Sequence, residues 1–215
     1  MEINNPRIGI IDDHATFRHN IASIITKNSQ FIVVVHASNG LDFLKQFNEL
    51  DESMQPGIIL TDVNMPQMDG FQVVQWMNIT HSHIKTVVLS MNTNEKSIIR
   101  MLNSGASAYL NKTMDPKELL NALEIVAGQG HYFKNLFNDR ENYKTVDPRP
   151  IFQQLTHQQK ALTMLLCADI GTRQIAVEMR MSYQQLTLHQ SRLFELFQVS
   201  SRAQLTVIIK IIIDK

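Results

Sequence analysis

Residues 58–70 read IILTDVNMPQMDG. An aliphatic run, Ile58-Ile59-Leu60, passes into Thr61 and Asp62, and Pro66 and Gly70 follow within eight residues. A short apolar run without alternation suits a strand covered on both faces. The stretch therefore sets one carboxylate, Asp62, at the carboxyl end of a buried strand. The same design recurs on either side. Ile8–Ile11 runs into Asp12-Asp13, Thr86–Leu89 into Ser90, and Ala108–Leu110 into Asn111-Lys112, while Phe31–Val35 is a further apolar run. Between these runs the apolar residues take helical spacing: Phe17, Ile21, Ile24 and Ile25; Leu41, Leu44 and Phe47; Phe71, Val74 and Met77; Ile98, Met101 and Leu102; Leu119, Leu120, Leu123 and Val126. Strict alternation predicts an α/β fold, a doubly wound (βα)5 parallel sheet with helices on both faces. Gly105 and Gly128 are read as stops of the fourth and fifth helices, and Asp115-Pro116 as the cap and first-turn proline that open the fifth.

Beyond this region the chain changes character. Asn138–Pro150 reads NDRENYKTVDPRP, polar and without apolar periodicity, which predicts a linker. From Leu155 only helix signals remain. The reading divides the chain into residues 1–130, a linker over 131–153, and a smaller all-α domain over 154–215. The 215 residues suit one or two domains, and 44% hydrophobic against 19% charged residues is enough for a core. Whole-chain net charge is zero, which argues against a uniformly basic nucleic-acid binder. The balance hides an asymmetry: residues 1–149 carry three more acids than bases, and 150–215 three more bases than acids. A single cysteine, Cys167, excludes an intramolecular disulfide and a cysteine-built metal site. No apolar run approaches the roughly 20 residues that span a bilayer. The first residues, with Glu2 and Asn4, show no basic stretch before an apolar one, so the expectation is a cytoplasmic protein without membrane association.

In a doubly wound sheet, ligands collect beyond the carboxyl ends of the strands. Neighbouring strands lie about 4.8 Å apart, so Asp12, Asp13 and Asp62 crowd together if their strands are adjacent. Such carboxylates repel unless a cation sits among them, and few side-chain ligands with open positions suit Mg²⁺. A carboxylate can attack a phosphoryl group to form an acyl phosphate, while an ammonium and a hydroxyl hold the remaining oxygens. Asp62, alone at its strand end, is the candidate nucleophile. Asp12 and Asp13 are the candidate metal ligands, and Lys112 and Ser90 the groups that hold oxygens. His14 reads as a surface residue beside the acids.

These residues carry a resemblance. IGIIDDHATFR resembles the acidic opening of receiver domains, and LTDVNMPQMDG resembles their phospho-acceptor stretch. VVLS supplies the switch hydroxyl Ser90, and GASAYLNK the switch aromatic Tyr109 and the lysine Lys112. The resemblance implies a two-component response regulator that is not an enzyme in its own right. It implies phosphoryl transfer from a cognate histidine kinase to Asp62, with Mg²⁺ held by Asp13, Asp62 and the backbone carbonyl of Asn64, and Asp12 assisting through water. Two positions depart from the pattern: Thr113 stands where many receivers have proline, and the bulky Met91 follows Ser90, where it is expected to narrow access to the phosphoryl group.

The helical segment has its own signature. Thr156 with Gln159 makes a capping-box pattern, Thr172 is read as the cap of a short helix, and Ser182 as the cap of a longer one over Tyr183–Phe197. Leu186, Leu193, Phe194 and Phe197 give that helix a core side, and Gln184, Thr187, Leu188 and Ser191 an opposite stripe. Short helix, tight turn and longer capped helix is the helix-turn-helix layout. Leu155-Thr156, Leu165-Leu166, Ile175-Ala176, Ser182, His189, Leu193, Val199 and Arg202 resemble the LuxR-type helix-turn-helix of NarL/FixJ regulators. This implies promoter DNA as partner, Gln184, Gln185, Thr187, Leu188, Ser191 and Arg192 as candidate contacts, and a homodimer in the active state. The outer stripe lacks the lysine or arginine common in that family. Positive charge comes from Arg173, Arg180, Arg192 and Arg202, with Lys160 further off. The thin basic face motivates an alternative, a helical domain that binds a protein partner in place of DNA. The apolar Leu205–Ile213 is expected either to pack on its own domain or to dimerise.

Overall fold

The computed structural model describes residues 6–92, 94–133 and 148–213. Five strands, β1 (Arg7–Ile11), β2 (Ile32–Ala37), β3 (Ile58–Asp62), β4 (Lys85–Ser90) and β5 (Ala108–Asn111), form one parallel sheet in the order β2-β1-β3-β4-β5. Helices α1 (Ala15–Asn28), α2 (Gly40–Glu49), α3 (Gly70–Thr80), α4 (Glu95–Asn103) and α5 (Pro116–Gln129) alternate with them. Ile21, Ala22 and Ile25 of α1 and Leu119, Ala122, Leu123 and Val126 of α5 pack on one side with Ile8, Ile10, Ile58, Leu60, Val87 and Leu89. Phe43 and Phe47 of α2 and Val73 and Met77 of α3 pack on the other with Ile11, Val35 and Ile59. Alternate residues of β1 and β3 thus face opposite cores, which is why their sequences are apolar throughout.

The strand order puts β1 beside β3 and β3 beside β4, so the residues ending all three meet at one edge. Register pairs Ile11 with Thr61, Asp62 with Leu89, and Ser90 with Asn111. The crossover from β2 back to β1 and on to β3 creates the crevice where such sheets bind ligands.

The C-terminal elements are α6 (Pro148–Gln154), α7 (His157–Cys167), α8 (Thr172–Glu178), α9 (Tyr183–Leu196) and α10 (Arg202–Ile213). The chain forms two compact units: residues 1–93 with 104–132, and residues 94–103 with 133–215. Helix α4 therefore groups with the helical unit, although it lies between two strands in sequence. Its Glu95 Oε1 accepts the Ala203 N–H at the start of α10, 3.1 Å away. The Lys210 ammonium donates to the Leu102 carbonyl at 2.9 Å, and Asn103 Nδ2 to the Cys167 carbonyl at 2.7 Å. Each bond satisfies a backbone group left over at a helix end, and both charged groups match the local helix dipole. On α10, Leu205 and Ile209 enter the core of the helical unit with Leu162, Leu166, Ile175, Leu186 and Leu193. Ala203 and Lys210, on another stripe, meet α4.

Several sequence expectations shift. Gly128 lies inside α5, and Gly130, at φ 84°, is the C-cap that stops it. Asp115 and Pro116 open the helix as expected. The segment read as linker includes regular structure: Tyr132 is buried and bridges to Ala108, and Pro148–Gln154 is helical. Its residues 134–147 lie outside the described ones, as do Glu2 and Asn4. Gly171 is the N-cap of α8, and Thr172 is its first helical residue. Among the described residues no helix is long and apolar enough to cross a membrane.

Candidate functional site

Asp12 and Asp62 are almost fully buried, at 1% and 6% exposure, while Asp13 and His14 reach solvent. Ligand atoms of Asp12, Asp13, His14 and Asp62 all lie within 4.8 Å of one another. The Lys112 ammonium bridges the buried pair, 2.7 Å from Asp12 Oδ2 and 2.8 Å from Asp62 Oδ2. Burial works against its charge, but the hydrogen bonds to Asp12 and Asp62 and the field of both carboxylates win, and the lysine pKa lies above its ordinary value. The ammonium also sits 4.7 Å from the centre of the Phe17 ring.

The remaining oxygens are ordered by backbone. Asp62 Oδ1 accepts the Val63 N–H at 2.7 Å, and Asp12 Oδ1 the His14 N–H at 2.9 Å. His14 Nδ1 stands 2.8 Å from Asp13 Oδ1 and 3.5 Å from Asp12 Oδ1. Arg18 Nη1 donates to the Asp12 carbonyl. Adjacent carboxylates with solvent-facing Asp13 are a donor set of the hard, oxygen-rich kind that fits a small divalent ion with retained waters. Asn64, whose backbone carbonyl is the remaining predicted ligand, is exposed in the β3–α3 connection.

That connection depends on a glycine. A Cβ on Gly70 would come within 1.9 Å of the Asp62 carbonyl oxygen. The absence of a side chain lets the Gly70 N–H reach the Val63 carbonyl at 3.0 Å and close the loop. Asp69 and Gln72 then cap α3 reciprocally.

Ser90 is buried at the end of β4, one strand over from Asp62, and its Oγ accepts the Asn92 N–H at 3.0 Å. Tyr109 is 1% exposed. Its hydroxyl donates to the Asn92 carbonyl and also contacts Ser90. Burial pushes the phenol pKa up and the Asp62 charge adds to the effect, against the Ser90 hydrogen bond. The ring lies inward, where the Asn92 carbonyl and Ser90 satisfy its hydroxyl. Met91, expected to narrow the entrance, is 67% exposed. Thr113, in place of proline, bonds Asn111 Oδ1 through both its N–H and its hydroxyl and so fixes the turn after Lys112.

In the helical unit the capping boxes at Thr156/Gln159 and Ser182/Gln185 are both formed. Gln184, Gln185, Thr187, Leu188, Ser191 and Arg192 are all exposed on α9. They are not equivalent. Gln185 Oε1 accepts the Ser182 N–H at 2.9 Å, and the Thr187 hydroxyl donates to the Tyr183 carbonyl at 2.9 Å. Arg202, counted among the available cations, faces inward. Its Nε donates to the Leu166 carbonyl and its Nη2 to those of Ala168 and Ile170, and burial lowers its pKa against the field of Glu95. Lys160 donates to the Gln153 carbonyl. The exposed cations that remain of the predicted set are Arg173, Arg180 and Arg192.

Sequence reasoning passed over Phe17, Arg18 and Asn92. Only Arg18 left a trace, a cation one helical turn past the acidic pair. It also set His14 aside, although the histidine adjoins Asp13 directly in sequence.

Comparison with known proteins agrees with this geometry. The response regulator receiver domain model matches residues 8–124. The chain is 28% identical to the transcriptional regulatory protein DegU of Brevibacillus brevis, over 95% of this chain and 92% of that one. It is also 28% identical to the nitrate/nitrite response regulator protein NarL of Escherichia coli K12, over 92% of each. The structure of the RcsB response regulator of Salmonella typhimurium superposes with a TM-score of 0.55 at 17% identity, over 97% of this chain and 99% of that one.

Proposed function

The chain belongs to the response regulator receiver family, and from that membership we propose that it is a NarL-type transcription regulator switched by phosphorylation of Asp62. The observation that carries the reading is the Lys112 ammonium held between two buried carboxylates, Asp12 and Asp62, at one sheet edge.

A carboxylate oxygen of Asp62 attacks the phosphorus of a phosphohistidine on a histidine kinase. The P–N bond breaks and an acyl phosphate forms. Lys112 holds a phosphoryl oxygen, and the Ser90 hydroxyl turns toward another. Asp13, Asp62 and the Asn64 carbonyl would hold Mg²⁺, with Asp12 assisting through water, and the ion would neutralise charge on the transferring group. Ser90 also contacts Tyr109, so drawing its hydroxyl toward the phosphoryl group removes a partner from the phenol. The Tyr109–Asn92 bond is then the link through which Asp62 biases the segment after β4. The chain binds its kinase and promoter DNA, dimerises when phosphorylated, acts in the cytoplasm, and turns over no metabolite of its own.

In the helical unit, α9 follows α8 through a turn in which Arg180 takes φ 53°. The DNA-binding reading rests on this helix-turn-helix and on full-length similarity to transcription regulators. The exposed Leu188 and the thin basic face favour a second reading, a protein partner for α9. Footprinting on genomic fragments with and without phosphodonor, at fixed salt, separates the two. Protection that requires phosphorylation and disappears in Gln184→Ala or Arg192→Ala supports DNA. Retention of no fragment in either state supports the protein partner.

A further inference from the structure

The structure narrows the candidate contacts on α9 by showing which polar atoms are already engaged. The Gln185 amide oxygen and the Thr187 hydroxyl both bond backbone within the helix's first turns. Thr187 therefore presents its methyl group outward. Gln184 carries no side-chain hydrogen bond to the described residues, and Leu188, one turn later on the same stripe, is 53% exposed. Arg192 continues the stripe one further turn on. The reading face is thus one open amide, one leucine and one threonine methyl, with a hydroxyl at Ser191 and a single guanidinium at its far end.

Base-edge chemistry discriminates among pairs. Guanine calls for arginine or lysine, cytosine for a carboxylate, adenine for a glutamine or asparagine amide, and thymine for apolar contact with its C5-methyl. The turn 184–188 has no cation and no acid. We propose that α9 selects A·T pairs, with Gln184 pairing the N6/N7 edge of an adenine and Leu188 packing on a thymine methyl. Four residues of helix rise about 6 Å, and base pairs stack at about 3.4 Å, so the two side chains address positions about two steps apart. This rests on the DNA-binding reading above and adds which bases the site contains.

The test uses the full chain treated with phosphodonor and Mg²⁺. A duplex is selected from a random pool. Each thymine is then replaced by deoxyuridine, which removes only the methyl group, and each adenine by 7-deazaadenine, which removes the N7 acceptor. Binding is read by fluorescence anisotropy. A single deoxyuridine, at the contacted position of one half-site, is expected to weaken wild-type binding about fourfold, the worth of one buried methyl group. The same swap leaves Leu188→Ala unchanged. One 7-deazaadenine weakens wild type and leaves Gln184→Ala unchanged. Both residues are exposed, and circular dichroism verifies that the variants fold. If a duplex is selected but every deoxyuridine swap is neutral, or the swap weakens Leu188→Ala as much as wild type, the proposal falls and DNA binding stands. Should no duplex be selected from the pool, DNA binding and the proposal fall together, and the leucine face takes a protein.

Discussion

The Lys112 ammonium lies 2.8 Å from Asp62 Oδ2 while touching Asp12 Oδ2 at 2.7 Å, so one cation serves two carboxylates that share a buried edge. Removing it leaves two buried anions facing each other. Breaking such a pair costs about 3–5 kcal/mol. Lys112→Ala is therefore expected to lower the unfolding free energy by about that amount in metal-free buffer, read by urea denaturation. Added Mg²⁺ should restore more stability to the variant than it adds to wild type. Equal responses to the metal would contradict the shared-cation arrangement.

Gly70→Ala places a methyl 1.9 Å from the Asp62 carbonyl oxygen, against backbone that cannot give way without moving β3 or α3. The expected loss is about 3 kcal/mol or more, in the range of severe backbone effects, with phosphorylation of Asp62 reduced in parallel. A variant with wild-type stability and labelling would show that the loop closes differently.

Alkaline pH is expected to destabilise the chain, through groups whose pKa is raised by folding. Burial pushes the Cys167 thiol from its usual 9.0 up to about 11, against the hydrogen bond from Thr206 and the charge of Arg202. The folded chain keeps this proton after the unfolded chain has released it. The contribution is thus full below the unfolded value and lost as pH rises through the folded one. Lys112, also raised, acts in the same direction. The urea midpoint should fall as pH rises from about 9 to about 11, and Cys167→Ala should fall less steeply. A midpoint that rises over this window, or an unaltered slope in the variant, would refute the assignment.

Salt dependence measures the cationic face. Arg173, Arg180 and Arg192 are the exposed members of the predicted set, since Arg202 and Lys160 bond carbonyls. Three phosphate contacts per subunit give a dimer a log K against log salt slope of about −5, from roughly −0.9 per phosphate. Arg192→Ala should make it shallower by nearly two units, and Arg202→Ala should alter stability more than slope. A slope change in Arg202→Ala equal to that of Arg192→Ala would mean that its guanidinium reaches DNA.

Glu95, Asn103 and Lys210 supply polar bonds between α4 and the rest of the helical unit. Asn103→Ala removes the donor to the Cys167 carbonyl and is expected to cost about 1 kcal/mol, the net worth of such a bond. Glu95→Ala removes a charged partner of the α10 N-terminus and should cost about 1–2 kcal/mol. Hydrogen exchange at Ala203 should rise in Glu95→Ala and stay unchanged in Asn103→Ala.

The strands and their polar ends were legible because a buried parallel strand has to be apolar throughout, so each acid at its end stands out. Asp12, Asp13, Asp62 and Lys112 are separated by up to 100 residues in sequence; the alternation set each at or just beyond a strand end, and the strand order brings them to one edge. What the residues could not disclose is how each is used once packed. Gly128 and Gly130 are equal candidates for a helix stop until φ decides between them. Ile98, Met101 and Leu102 have helical spacing whichever surface they cover, so the grouping of α4 with α10 left no local mark. Arg202 reads as an available cation in sequence because its carbonyl partners, Leu166, Ala168 and Ile170, lie more than thirty residues earlier.

Intact mass after incubation with acetyl phosphate and Mg²⁺, wild type beside Asp62→Asn, bears most directly on the phosphorylation site. Wild type should gain one phosphoryl group, lost on treatment with hydroxylamine as an acyl phosphate is, and Asp62→Asn should gain none. Equal labelling of the two proteins would contradict the account at its root.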